Sequence, residues 1–329
     1  MRLLDLLFGR FFERLFGRLD GRTSVPAAPA GRPAPQDTAS ADGLTAEQQA
    51  LLTQAEPLRA AWFTTDTAVL SDSGPVRSNN EDSVLALSQT LAEVATTRTC
   101  LIALADGMGG HQAGETASRI AVESALATHR QPSADNSARR LLRAVEQANR
   151  DVHAHSLTSA EFEGMGTTLV LLSLTDAGAY CSWVGDSRLY RLRAGRLELL
   201  TRDDTLVREL VDGGLIQAHE AQDHPDRSVL SQAMGTKPSL RRLNLIGPME
   251  MRVGDCFLLC SDGLHDVVPD TCLTQVLAQD SASAICQELL RQALLHHADD
   301  NITTAVVRIL ALDSPRSDAR DTVVPGSPA

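Results

Sequence analysis

Three apolar runs in this chain stop on an aspartate and continue at once into glycine or a small polar residue: LIALADGMGG, CSWVGDSR and FLLCSDGL, which place Asp106, Asp186 and Asp262. A fourth aspartate, Asp300, stands just before the run NITTAVVRI. Short apolar runs bounded by turn residues read as buried strands. Strand ends are where a chain leaves its sheet and where functional loops sit. The pattern therefore asks for sheets whose ends carry carboxylates. Taken singly, each aspartate reads as readily as a turn or cap residue; the recurrence in near-identical settings separates them from that background. The pair Glu81-Asp82, in GPVRSNNEDS, adds an acidic site expected close to the end of a first strand.

The other elements fix the class. Strands are expected at 101–105, 167–174, 179–184, 188–193, 255–261 and 302–309, with LLSLTDAGAYCSWV as one hairpin and LYRLRAGRLELL as another around Ala194-Gly195. Helical spacing runs through 115–129, 137–156, 205–212 and 282–297. Hairpins with separate helices indicate an α+β domain with antiparallel sheets, not a βαβ array.

Outside that domain the chain changes character. Residues 1–20 repeat Leu4, Leu7, Phe8, Phe11, Leu15 and Leu19 at helical spacing with Arg10, Arg14 and Arg18 between them, which predicts an amphipathic helix. It reads either as an interfacial helix on a membrane or partner, or as a helix packed on its own domain. Arginines through its middle argue against a signal peptide. Residues 21–43 form a Pro/Ala-rich linker, 44–63 a short helical lead-in with Thr45 as its cap, 64–311 a globular domain, and 312–329 a disordered tail. No apolar run is long enough to span a bilayer. The net charge of −12 and the lack of a basic stripe argue against nucleic acid as a partner. The six cysteines sit mostly in apolar runs without C-x-x-C spacing and read as reduced core residues of a cytoplasmic protein.

Carboxylates brought together repel unless cations lie among them. An oxygen-only donor set suits Mg2+ or Mn2+, and the absence of neighbouring histidine or thiolate ligands argues against zinc. Such cations polarise phosphoryl oxygens, and phosphate also calls for an arginine fork. Arg77, four residues before Glu81, is the best-placed arginine, with a surface salt bridge as its plainer alternative. The histidines at 153, 155, 219, 224, 265, 296 and 297 share no spacing with the carboxylates and read as surface or structural residues.

GPVRSNNEDS, LADGMGGHQAGETAS, GMGTTLV, VGDSRLY, VLSQAMG, LLCSDGL and ADDNITTAVV occur in order, and together they resemble the metal-dependent protein phosphatase 2C family in its bacterial form across residues 64–311. The resemblance implies an α-β-β-α sandwich, two antiparallel β-sheets flanked by helices. It implies hydrolysis of phosphoserine and phosphothreonine in proteins by in-line attack of a metal-bridging hydroxide, opposing a bacterial Ser/Thr protein kinase. It also implies two Mn2+ or Mg2+ ions, with a third possible. By motif match, Asp106 bridges both ions, the Gly107 carbonyl binds one, and Asp262 and Asp300 complete direct ligation. Glu81 and Asp82 hold a metal or its water, and Arg77 binds the substrate phosphate. A third ion would draw on Asp262 and an acidic residue before GMGTT, where this chain has Glu161 and the family usually has aspartate; Asp186 is the alternative.

Two departures stand out. Animal relatives carry a histidine as general acid where this chain has Met108, and His111 close by is not the matching residue. Asp204 stands where the family's flap often begins with histidine, which is expected to alter flap or substrate contacts. Residues 1–20 are expected to direct the enzyme to a membrane or secretion-type assembly, at the inner membrane face. A non-catalytic phosphoprotein-binding scaffold on the same fold is the rival reading, and retention of Asp106, Asp262 and Asp300 counts against it.

Overall fold

The computed structural model describes residues 44–53, 62–90, 98–110 and 112–313. The expected N-terminal helix, the linker, His111 and all but the first residues of the tail lie outside this set. The first sheet has the order β1-β11-β10-β7-β8, from β1 (Trp62–Asp72), β11 (Ile302–Asp313), β10 (Cys256–Cys260), β7 (Arg188–Arg193) and β8 (Arg196–Leu199). The second has the order β2-β3-β5-β6-β9, from β2 (Asp82–Thr90), β3 (Arg98–Met108), β5 (Leu169–Thr175), β6 (Gly178–Val184) and β9 (Asn244–Met249); the two-residue β4 (Gly166–Thr167) pairs with the end of β3. All these strand pairs are antiparallel.

Alternation on the strands assigns each face. On β3, Cys100, Ile102 and Leu104 meet Phe257 and Leu259 of β10 and Val307 of β11 between the sheets. Leu101, Ala103 and Ala105 point the other way, under α2 (Gln112–Arg130) and α3 (Ser137–Ser156). Leu258, Cys260 and Val306 likewise pack outward against α5 (Asp262–His265), α6 (Asp270–Leu277) and α7 (Ala282–Leu295). The central strands are thus covered on both faces, which is why their sequences read as unbroken apolar runs. All six cysteines are free, and five are buried.

The lead-in helix α1 is short, Ala46–Thr53. Thr45 caps it in both directions: the Gln48 backbone N–H donates to Thr45 Oγ1 at 3.2 Å, and the Thr45 N–H donates to Gln48 Oε1 at 2.9 Å. Gln48 Nε2 also donates to the Leu243 carbonyl, tying α1 to the entry of β9. Between β8 and β9 runs an irregular excursion that contains α4 (Leu206–Asp212). Its neck closes on Asp204. This carboxylate is fully buried, takes hydrogen bonds from Arg242 and from Asn244 Nδ2 (2.9 Å), and its backbone pairs with Gly185 and Ser231. Asp204 therefore anchors the base of the excursion from inside the protein.

Two boundary expectations are corrected. Glu81 and Asp82 do not close a first strand: β1 ends at Asp72, a turn follows at Gly74 (φ 71°), and Asp82 opens β2. Nor does β3 stop at Asp106, because pairing with β4 carries it on to Met108.

Candidate functional site

Strand direction explains why the aspartates meet. Asp106, near the end of β3, lies opposite Asp82, the first residue of β2. Asp262 follows β10 and Asp300 precedes β11, and these two strands are antiparallel neighbours, so their linked ends lie side by side. Asp186 sits in the step by which the chain crosses from β6 in the second sheet to β7 in the first. All five therefore occupy one end of the sandwich.

Small residues permit the crowding. A Cβ on Gly107 would come within 2.1 Å of the Gly114 carbonyl oxygen and 2.6 Å of that of Glu81. One on Gly263 would strike the Asn301 carbonyl oxygen at 2.1 Å. Only Gly109 and Gly110 of the glycine run need positive φ, 126° and 83°, to swing the chain into α2. Thr167 and Thr168 hold Asp106 by its backbone: its carbonyl accepts from the Thr168 N–H and Thr167 Oγ1, both at 2.8 Å, and its N–H donates to Thr168 Oγ1 at 2.9 Å. Asn301, which the sequence reading passed over, pins the β1–β2 loop. It accepts from the Glu81 N–H at 2.8 Å and donates to the carbonyls of Ser73 (3.0 Å) and Asn79 (2.9 Å). Its signal in the sequence was its place directly after Asp300.

The carboxylates are strained electrostatically. Burial, and then repulsion from Asp262 and Asp300 against hydrogen bonds from Thr303 and Ser261, pushes Asp82 up to about 7. Burial first, and then Asp262, brings Asp186 to about 7 as well. Burial and the charges of Asp82, Asp262 and Asp186 hold Asp106 well above the ordinary range, and burial also raises Asp262. Asp82 Oδ2 accepts from Ser261 Oγ at 2.8 Å, but Asp82 Oδ1 and Asp262 Oδ1 are buried without a hydrogen-bond partner. Buried carboxylate oxygens left unpaired are costly, and a hard divalent cation is the partner that suits them. The donor set thus fits such an ion. Among the described residues no three His, Cys, Asp or Glu side chains already surround one point as ligands. One reason is visible at Asp300, whose Oδ2 lies 2.6 Å from Arg77 Nη2.

The remaining candidates divide. Arg77 reaches the rim of the cluster with 53% of its side chain exposed, so the expected guanidinium and its plainer ion-pair alternative are both in place. The Glu81 carboxylate is turned toward α2, where a Cβ on Gly114 would lie 1.9 Å from Glu81 Oε2. Glu161 is exposed in the 3-10 turn Ala160–Phe162, and its N–H donates to Ser159 Oγ. Asp186 feels the charge of Asp262. Of the two readings offered for the histidines, surface or structural, His265 takes the second. His265 has a side chain only 3% exposed, and its Nε2 donates to the Asp186 carbonyl at 3.1 Å. The signal was present, since His265 follows Asp262 by one helical turn.

The family profile described as Protein phosphatase 2C matches residues 77–295. Serine/threonine protein phosphatase PstP of Mycobacterium tuberculosis is 39% identical over 248 residues, which are 75% of this chain but 45% of PstP, so the match spans less than half of that relative. A crystal structure of the catalytic domain of PstP in complex with two manganese ions is 36% identical with a TM-score of 0.63, covering 75% of this chain and 99% of that one. The structure of PppA, described as a key regulatory component of T6SS in Pseudomonas aeruginosa, is 35% identical with a TM-score of 0.62, covering 76% of this chain and all of its own.

Proposed function

This chain belongs to the protein phosphatase 2C family, and from that premise we propose that residues 64–311 hydrolyse phosphoserine and phosphothreonine in proteins with bound divalent cations. The observation that carries the reading is the set of buried and half-buried aspartates drawn from both sheets, two of whose buried oxygens lack a hydrogen-bond partner. Asp106 and Asp262 would hold the inner ions with Asp82, Asp300 and the Gly107 carbonyl, and the manganese pair in the PstP domain supports two ions. Glu81 would act through water. Asp186 would serve an outer ion beside Asp262, without Glu161. Bound cations supply Lewis-acid polarisation of a phosphoryl oxygen and a water acidic enough to attack near neutral pH.

The protein's own groups prepare that reaction. Ser261 orients Asp82. Thr167 and Thr168 hold the Asp106 backbone, the Gly107 N–H donates to the Glu81 carbonyl, and the lack of a Cβ at Gly107 lets the Gly114 carbonyl approach. Arg77 would leave Asp300 for the substrate, where its fork grips two phosphate oxygens and aligns the phosphorus for in-line attack. Arg77→Ala is expected to raise KM for a phosphothreonine peptide about 10- to 100-fold while leaving the melting temperature unchanged, because the side chain is half exposed. Steady-state kinetics with Mn2+ and a thermal melt check both. An unchanged KM would return Arg77 to a surface ion pair.

The proposed cellular role is to oppose a Ser/Thr protein kinase. Release of phosphate from a phosphothreonine peptide by the purified protein with Mn2+ tests the activity, and no release would remove it. Among the described residues no helix is long and apolar enough to cross a membrane. Residues 1–20 are proposed to dock the enzyme on a membrane face or a secretion-type assembly, a reading supported by their amphipathic sequence and by the T6SS role given for PppA. Unchanged fractionation after deletion of residues 1–20 would dismiss it.

A further inference from the structure

We propose that His265 is a positioning residue that fixes the Asp186 loop against Asp262 and so sets how tightly this outer carboxylate pair holds a divalent cation. The inference rests on the reading of Asp186 and Asp262 as cation ligands.

Asp186 lies on a connection with little support of its own. It is the step from β6 to β7, and Gly185 before it takes φ 95° against Thr168, where a Cβ would meet Thr168 Cγ2 at 2.7 Å. On that side Ser187 Oγ is 2.7 Å from Thr168 Oγ1, which joins the loop to the strand ends holding Asp106. On the other side stands His265. Helix α5 presents Asp262 in its first turn and His265 in its last, so both face the same neighbour. The imidazole Nε2 donates to the Asp186 carbonyl at 3.1 Å. A carbonyl can only accept, so this contact fixes which ring nitrogen carries the proton that matters.

On the far side of the ring stands Asp266. Nδ1 lies 3.2 Å from Asp266 Oδ1, near enough for an ion pair but off the line of a good hydrogen bond. Asp266 in turn feels the charges of Arg188, at the start of β7, and Arg227, in the excursion between β8 and β9. The imidazole thus bridges α5 and the crossover loop, and its partner carboxylate faces groups from two further segments. Leucine would fill the same space but leave the Asp186 carbonyl without its donor. Groups that orient a ligand from behind change metal affinity by about 10- to 100-fold when removed.

The test compares His265→Leu, His265→Gln and Asp186→Asn with the parent full-length protein, titrating Mn2+ alone by calorimetry and following the metal-induced rise in melting temperature. Asp186→Asn should remove the weakest Mn2+ step. His265→Leu should weaken that step at least ~10-fold and leave the tighter steps in place. His265→Gln should recover most of the loss, because its amide can donate to the same carbonyl. Parent-like Mn2+ binding by His265→Leu, with the weak step absent in Asp186→Asn, would overturn the positioning role. A Gln variant as weak as Leu would overturn the hydrogen bond as its cause. An Asp186→Asn protein with every step intact would instead overturn the cation reading on which the inference stands. If the Leu variant fails to fold, Asp266→Asn, a substitution at an exposed position, takes its place, and unchanged weak-step affinity there overturns the proposal.

Discussion

Replacing Asp106 by Asn is expected to lower Mn2+-dependent phosphate release by on the order of 10³-fold or more while leaving the fold intact. The size follows from the chemistry assigned to the bound cations. Lewis-acid stabilisation of transition-state charge contributes several kcal/mol, and each ~1.4 kcal/mol is a decade in rate. The intact fold follows from the electrostatics. Without metal, Asp106 is a buried group repelled by Asp82, Asp262 and Asp186. A neutral amide of the same shape removes that repulsion and keeps the backbone bonds to Thr167 and Thr168. In chelator, Asp106→Asn should therefore melt no lower than the parent, and Mn2+ should raise its melting temperature less. A variant that loses activity and also melts far lower would point to a structural role. One that keeps activity would remove Asp106 from the chemistry.

The second large effect is on stability against pH. Asp82 and Asp186 both stand at about 7 in the folded protein, with burial as the main cause. A carboxyl raised in this way holds a proton in the native state that the unfolded chain has already shed. Its contribution is whole below the unfolded value near 3.8, drains as pH rises to about 7, and is level above that. For Asp82 alone the span corresponds to on the order of 4 kcal/mol. Metal-free protein should therefore melt at a higher temperature at about pH 5 than at about pH 7.5. Mn2+ needs the deprotonated carboxylates, so its protection should grow through the same window and reverse the order. Asp266, held below its ordinary value first by His265, contributes with the opposite sign and only at more acidic pH. Asp82→Asn should flatten the metal-free curve. A metal-free melting temperature that climbs steadily from pH 5 to about 7.5 would contradict the account.

Much of the sandwich was legible because its central strands are covered on both faces, and LIALA, LVLLSL and FLLC can be little else. The strands not bounded from the sequence are β1, β2 and β9. The first two are sheet edges, with mixed sequences such as FTTDTAVLSD and several half-exposed residues, and β9 contains Gly247-Pro248. Strand-end position alone picked out Asp106, Asp186, Asp262 and Asp300, because a charge at the end of a buried run must be used or neutralised. What sequence could not supply was convergence. Glu161 sits close to the GMGTT motif yet points into solvent, whereas His265 has no metal-type spacing yet lies against Asp186. Asp204 was expected to alter flap or substrate contacts. It proved to be the buried anchor of that segment, because its partners Arg242 and Asn244 arrive from about 40 residues further along the chain.

Aspartates from the two sheets are proposed to converge on the cations that act on phosphate. Anomalous diffraction at the manganese edge from Mn2+-soaked crystals tests it most directly. At least a pair of ions is expected, as in the PstP domain, with Asp106 contacting both and Asp262 and Asp300 among the ligands. No anomalous peak within ligating distance of Asp106 in crystals soaked at activating Mn2+ would contradict it.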